Sequence, residues 1–343
     1  GITPELSRLV TSDSSTAVQI KALDSLAAER KMTNVDFVKI DVEGEEKHVL
    51  EGAAQFLERE SPLVMLEFWA DKKFNTEIFA PLQRHGYSTF RLVPGINVLA
   101  PFYESEEPDP YQLNLFAYRA RRSRQPIPAD FLVAEPAIKQ PAFNCEPALD
   151  RLFTMPFAQS VEPHWRTAAA QAARDGTMAS HLHALRWFFA AQEKSNGAAA
   201  RLWALEHAYL QLRSLIQSDF TAARAASFVR IAAAYGQRAE AIEMARRLVK
   251  AVTSAGDEAY AEPFLSPWPH QETLDAGMDM RGLLLASAIE SYEHLFQFSS
   301  SDKASLAQEA LDTRADVQYL SPGYLRRENL FKRRTPALLA AGT

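Results

Sequence analysis

Four carboxylates fall within six residues: Asp41, Glu43, Glu45 and Glu46, with Gly44 in their midst. They follow the apolar run "VDFVKI" directly. A fifth, Glu67, lies near the end of the next apolar run, "PLVMLEFW". Crowded carboxylates repel one another, which lifts at least one pKa toward the range of a useful base. The negative charge that remains favours a nearby cation, and hard oxygen ligands suit Mg²⁺ or Ca²⁺. The plainer use of such residues is to stabilise the dipole in the first turn of a helix. Glu45 and Glu51 are read that way, and Glu46 fits either role. Asp41, Glu43 and Glu67 are read as site residues, because ligands of open α/β sheets bind beyond the carboxyl ends of the strands.

The elements that must position these residues follow from periodicity. "VDFVKID" reads as a buried strand, and Gly44 permits a sharp turn out of it. In "EEKHVLEGAAQFLERE", Val49, Leu50, Ala53 and Leu57 stand at helical spacing, which predicts one helix. "PLVMLEFW" is a second strand, with Pro62 allowed at its start. "TEIFAPLQRHG" predicts a helix ending at Gly86. "YSTFRLV" and "YQLNLFAYRA" then predict two antiparallel strands with the loop "ESEEPDP" between them. Upstream, Val18 and Ile20 alternate with polar neighbours, and Asp24 suits an N-cap for the helix "SLAAERK". His48 lies inside a helix and reads as a surface histidine. His85 sits at a helix end and reads as structural.

The composition changes near residue 120. Residues 121–162 are rich in proline and read as a linker; 163–334 read as α-helical, and 335–343 as a tail. Within the helical part, "SFVRIAAAYGQRAEAIEMARRLV" resembles one tetratricopeptide unit, with Gly236 at a helix-to-helix turn. No second copy stands at the expected ~34-residue period. His181 and His183 are two apart, so a helix points them to different faces, a poor metal pair. "RWFF" and "RLWALEHAY" read as core. "YLRRENLFKRR" reads as a solvated basic helix end, with contact to an acidic partner as the lesser reading.

The 343 residues carry a net charge of −6, which argues against a nucleic-acid or anionic-membrane surface. No apolar run approaches the ~18 residues of a membrane span. Cys145 is the one cysteine, so an intrachain disulfide framework is excluded, and a reducing cytoplasm is expected. No chemistry is assigned to Cys145.

The ordered set Leu23-Asp24, "KIDVEGEE" (Lys39 to Glu46), "VLEGA" (Val49 to Ala53) and Glu67 resembles the second half of the FkbM family of S-adenosylmethionine-dependent methyltransferases. The resemblance covers residues 15 to 118. It implies a partial class I (Rossmann-like) methyltransferase sheet closed by an antiparallel hairpin; with the helical pattern downstream, the expected fold is α/β followed by an all-α, tetratricopeptide-like bundle. It also implies a methyl donor, S-adenosylmethionine, and a hydroxyl of a sugar, glycan or secondary metabolite as acceptor. Asp41, Glu43 and Glu67 would then be catalytic and Glu46 substrate-binding. A divalent metal is a further candidate that no spacing supports. The family's glycine-rich donor-binding half has no counterpart in residues 1–120. The chain is therefore expected to be a fragment that is inactive alone and binds the donor poorly. The alternative expectation is a helical protein-interaction module carrying an inactive methyltransferase remnant.

Overall fold

The computed structural model describes residues 20–70, 73–120, 126–137, 139–142, 147–172, 176–254, 260–275, 277, 279–296 and 319–326. Val18, Cys145, the tail from 335 and most of the basic stretch after Arg326 lie outside the described residues. The chain divides into two compact units, Gly1–Leu92 with Val98–Glu135, and Val93–Asn97 with Pro136–Thr343.

The first unit is built on a mixed five-stranded sheet, as expected for an α/β part. Its elements run α1 (Leu23–Glu29), β1 (Phe37–Ile40), α2 (Glu46–Glu51), α3 (Ala54–Glu60), β2 (Leu63–Glu67), a short β3–β4 pair (Trp69–Ala70 and Lys73–Phe74), α4 (Phe79–Arg84), β5 (Ser88–Val93), β6 (Val98–Pro101) and β7 (Asn114–Tyr118). The strand order is β1-β2-β7-β5-β6. β1 and β2 are parallel, with Ile40 opposite Leu66. β7 enters between β2 and β5 and is antiparallel to both. Ile40, Val64, Leu66, Leu115 and Ala117 from the sheet share a core with Leu50, Phe56 and Leu57 from the helices.

Three expectations need correction. Ile20 is exposed and lies in no strand. β6 was not foreseen, because Val98, Leu99 and Ala100 are all buried and so give no alternation to read. The strand is nonetheless partnered on both sides, by β5 and by a parallel bridge from Leu99 to Leu132.

The third correction concerns Asp24, which does not cap its own helix. The N-cap of α1 is Ala22, and Asp24 lies in the first turn. Its two carboxylate oxygens accept the backbone N–H groups of Gln55 (3.0 Å) and Phe56 (2.8 Å), while its own N–H donates to the Gly52 carbonyl (2.9 Å). In an unbroken helix Gln55 and Phe56 would donate to residues 51 and 52. Asp24 takes both donors and occupies Gly52 in return, so the single predicted helix becomes α2 and α3. Gly52 also lets α1 approach, since a Cβ there would meet the Cβ of Ala22 at 3.3 Å. The Leu-Asp and V-L-x-G-A stretches are thus two sides of one contact.

The second unit is a succession of helices: α5 (Pro147–Phe153), α6 (Glu162–Gln171), α7 (Gly176–Gln192), α8 (Ala198–Ser218), α9 (Ala222–Tyr235), α10 (Arg238–Ser254) and α11 (Met280–Phe296). From α7 to α11 each helix packs on the next. Gly236 has φ 99° and closes α9 with the Ala232 carbonyl taking both its N–H and that of Gln237, the expected glycine turn. The aromatic runs are core: Phe188, Phe189, Trp203 and Tyr209 are buried. His181 is buried and His183 exposed, as their spacing requires. Among the described residues no helix is long and apolar enough to cross a membrane.

Replacing Asp24 with Ala would leave two N–H groups of α3 without their acceptor. The expected cost is about 1–3 kcal/mol for unfolding of the first unit. Urea denaturation followed by a probe within residues 20–118 measures it, and no change would show that water replaces the cap without penalty.

Candidate active site

The parallel register of β1 and β2 fixes the site. With Ile40 opposite Leu66, the residues that follow, Asp41 and Glu67, leave neighbouring strands at the same rim. The chain then turns at once. Glu43 (φ 52°) and Gly44 (φ 103°) are both left-handed, and the Glu45 N–H closes the turn on the Val42 carbonyl at 3.3 Å. Glycine accepts that conformation freely; a glutamate there is strained. The turn folds Glu43 back over the rim. One oxygen from each of Asp41, Glu43 and Glu67 lies within 4.8 Å of those of the other two.

The three carboxylates differ in environment. Asp41 is exposed and its Oδ2 accepts a hydrogen bond from Lys39 Nζ at 2.6 Å. That bond, with a second from the Glu67 side, holds its pKa below the ordinary carboxylate value. Glu67 is half-buried, and its Oε2 is enclosed with no hydrogen-bond partner among the described residues. Burial first, then Asp41 and the charges of Glu43 and Glu46, push its pKa from 4.5 to about 7. Adjacent acids are therefore driven in opposite directions, one held as an anion and one poised near neutrality. Such an oxygen cluster is also what a hard divalent cation takes. Exposed carboxylates commonly cluster without one, and no ion is assigned.

The other candidates are placed as follows. Glu46 is 1% exposed, and both its oxygens accept from the protein itself: Oε1 from the N–H groups of Val42 and Gly44, each at 3.2 Å, and Oε2 from Asn75 Nδ2 at 2.8 Å. Glu45 is exposed and pairs with His48 Nδ1 at 2.6 Å, while Glu51 is exposed on α2. His85 is the C-cap of α4. Two participants had no role in the sequence reading. Lys39 stood inside the quoted motif and proves to be the partner of Asp41. Asn75 gave no signal beyond its place before the Thr-Glu that opens the next helical turn.

In the second unit His181 Nε2 lies 3.1 Å from Ser227 Oγ and its Nδ1 lies 3.4 Å from Glu262 Oε2. The arrangement has the order of a nucleophile, base and acid, but all three are buried. Ser227 Oγ is also committed to the Ala223 carbonyl and the Leu265 N–H, so it is not free to attack a substrate. Glu262 further accepts from Arg224 and Thr221. This is a satisfied polar network that ties the loop around Glu262 to α7 and α9.

Residues 4–89 match the family model of the methyltransferase FkbM domain. The matched span is less than half of the chain and contains every rim residue named above, together with Asp24, Gly52 and Asn75. The helical unit lies beyond it. Searches of curated proteins and of solved structures found no match. The domain indicates a methyltransferase in general terms, and the rim at the carboxyl ends of β1 and β2 lies inside the matched span.

The fit to a sulfonium methyl donor is partial. The carboxylates of the rim suit its positive charge. Among the described residues up to 120 the glycines stand singly at 44, 52, 86 and 95, so no glycine-rich strand-to-helix loop is seen there for its nucleoside.

The raised pKa of Glu67 has a consequence for stability. Between pH 4.5 and about 7 the folded state keeps a proton that the unfolded chain releases, so stability falls as pH rises through that window. Asp41, with its depressed pKa, works the other way and loses its contribution on acidification below the ordinary carboxylate range. Glu67→Gln is expected to flatten the loss between pH 4.5 and 7, read from unfolding midpoints at intervals of pH. A parallel decline in parent and variant would remove Glu67 as its source.

Proposed function

We propose that this chain carries the acceptor-side rim of an S-adenosylmethionine-dependent O-methyltransferase, acting on a hydroxyl of a sugar, glycan or related metabolite. The observation that carries the reading is Glu67: a half-buried carboxylate at a strand end beside the carboxylates of Asp41 and Glu43, its pKa pushed to about 7 by burial and by Asp41, Glu43 and Glu46. A hydroxyl becomes a competent nucleophile as it gives up its proton, and a base with a pKa near the working pH is the best acceptor. Glu67 takes that proton. Asp41, kept anionic by Lys39, and Glu43, folded over the rim by its left-handed turn, orient the acceptor hydroxyl and present negative charge toward the cationic end of the donor. When bound, the donor supplies an electrophilic methyl group.

The helical unit is the candidate surface for a protein partner, and the lone cysteine suits a reducing, cytoplasmic setting.

The test is transfer of labelled methyl from donor to a panel of glycan and small hydroxyl acceptors by the full-length protein. Glu67→Gln is expected to lower kcat/KM by about 10²–10⁴-fold with donor binding retained. Asp41→Asn and Glu43→Gln should fall in the same direction by less. Because Glu67 acts deprotonated, the parent rate should rise with pH through about 7 and level off, and that limb should vanish in Glu67→Gln. Unchanged rates in all three variants would sink the assigned roles.

A further inference from the structure

Glu46 and Asn75 are hydrogen-bonded to both halves of the rim without belonging to either. Glu46 Oε1 accepts from Val42 and Gly44, the residues on either side of left-handed Glu43. Its Oε2 accepts from the side chain of Asn75. The Asn75 backbone N–H donates in turn to the carbonyl of Phe68 at 3.0 Å, and Phe68 is the residue after Glu67. A continuous path therefore runs from the β1 turn through Glu46 and Asn75 to the end of β2.

Its anchor is firm. Phe68 is 1% exposed and packs on Phe74, Phe79 and Phe102 with ring centroids 5.3–5.9 Å apart. At the other end, two N–H groups share one carboxylate oxygen, each at 3.2 Å. A non-glycine residue at positive φ persists only where its surroundings over-determine it, and these bonds bracket Glu43 on both sides.

We propose that Glu46 and Asn75 are positioning residues that set the distance between the Asp41–Glu43 turn and Glu67. The proposal rests on reading the three rim carboxylates as the reacting end of the site, and it gives Glu46 a purpose other than touching substrate. The charged groups facing Glu67 are Lys39 and Asp41 from β1 and its end, Glu43 from the turn and Glu46 from α2. Releasing the bridge lets the turn, with Glu43, draw away from Glu67.

The experiment uses the intact chain and needs no acceptor, so it stands apart from the assay for methyl transfer. Hydrogen exchange is followed over residues 41–46, and the Glu67 side chain is titrated by carboxyl NMR in ¹³C-labelled protein. Glu46→Ala is expected to quicken exchange at Val42 and Gly44 by about tenfold, and Asn75→Ala by about threefold. In Asn75→Ala, which leaves every charge of the rim in place, the Glu67 midpoint should fall below about 7; in Glu46→Ala loss of the Glu46 charge lowers it as well, so that variant is read by exchange alone. Glu46→Gln keeps an oxygen for both N–H groups, and its exchange should stay within about twofold of the parent. A general loss of stability would quicken exchange across the unit but leave the Glu67 midpoint of the folded state in place. Parent-like exchange in both alanine variants, an unmoved Glu67 midpoint in Asn75→Ala, or exchange in Glu46→Gln as fast as in Glu46→Ala overturns the proposal. Should Glu46→Ala fail to fold, Asn75→Ala and Glu46→Gln carry the same decision.

Discussion

The parallel pairing of β1 with β2, Ile40 against Leu66, is the constraint on which the acidic rim depends. A shift by one residue would turn every side chain of β1 to the opposite face and separate Asp41 from Glu67. The register is held by burial: Ile40, Val64 and Leu66 face the core, with Leu115 and Ala117 from β7 beside them. β7 then closes β2 on its other side, with Glu67 opposite Asn114. Two carboxylates are brought to one edge by a backbone ladder whose register is set by apolar burial.

The acids of this region divide by what they accept. Asp24 and Glu46 accept backbone N–H groups and build the scaffold, one by splitting a helix and the other by fixing a turn. Asp41, Glu43 and Glu67 are not consumed in this way. Charge alone does not distinguish the two sets, since all five are carboxylates within about one turn or strand of a helix end. Geometry does: a carboxylate enclosed by donors has spent its lone pairs, whereas Glu67 keeps an enclosed oxygen without a donor among the described residues.

The helical unit shows the same economy with a different result. His181, Ser227 and Glu262 are arranged as a catalytic relay would be, but each is buried and saturated. Burying a glutamate raises its pKa, and here that effect is outweighed by His181, Thr221 and Arg224, which hold Glu262 below the ordinary value. The network is paid for by hydrogen bonds rather than by reactivity, and it fastens a proline-rich loop that has no helical periodicity of its own.

The sequence by itself determined the strands that lead to Asp41 and Glu67, the sharp turn at Gly44, the glycine stop after α9, and the change from sheet to helices. Each of these rests on local rules, namely side-chain period, glycine conformation and capping, which operate within a few residues. What it could not decide were contacts between distant residues. The helix predicted over residues 45–60 breaks because Asp24, some 30 positions upstream, offers better-placed acceptors to Gln55 and Phe56. β6 escaped notice because burial on both faces erases alternation. Glu46 could be read as a dipole acid or a ligand contact, and only the folded chain shows that the turn and Asn75 both bring donors to its oxygens. A carboxylate's role depends on how many donors the folded chain brings to it, and that number is a property of tertiary structure alone.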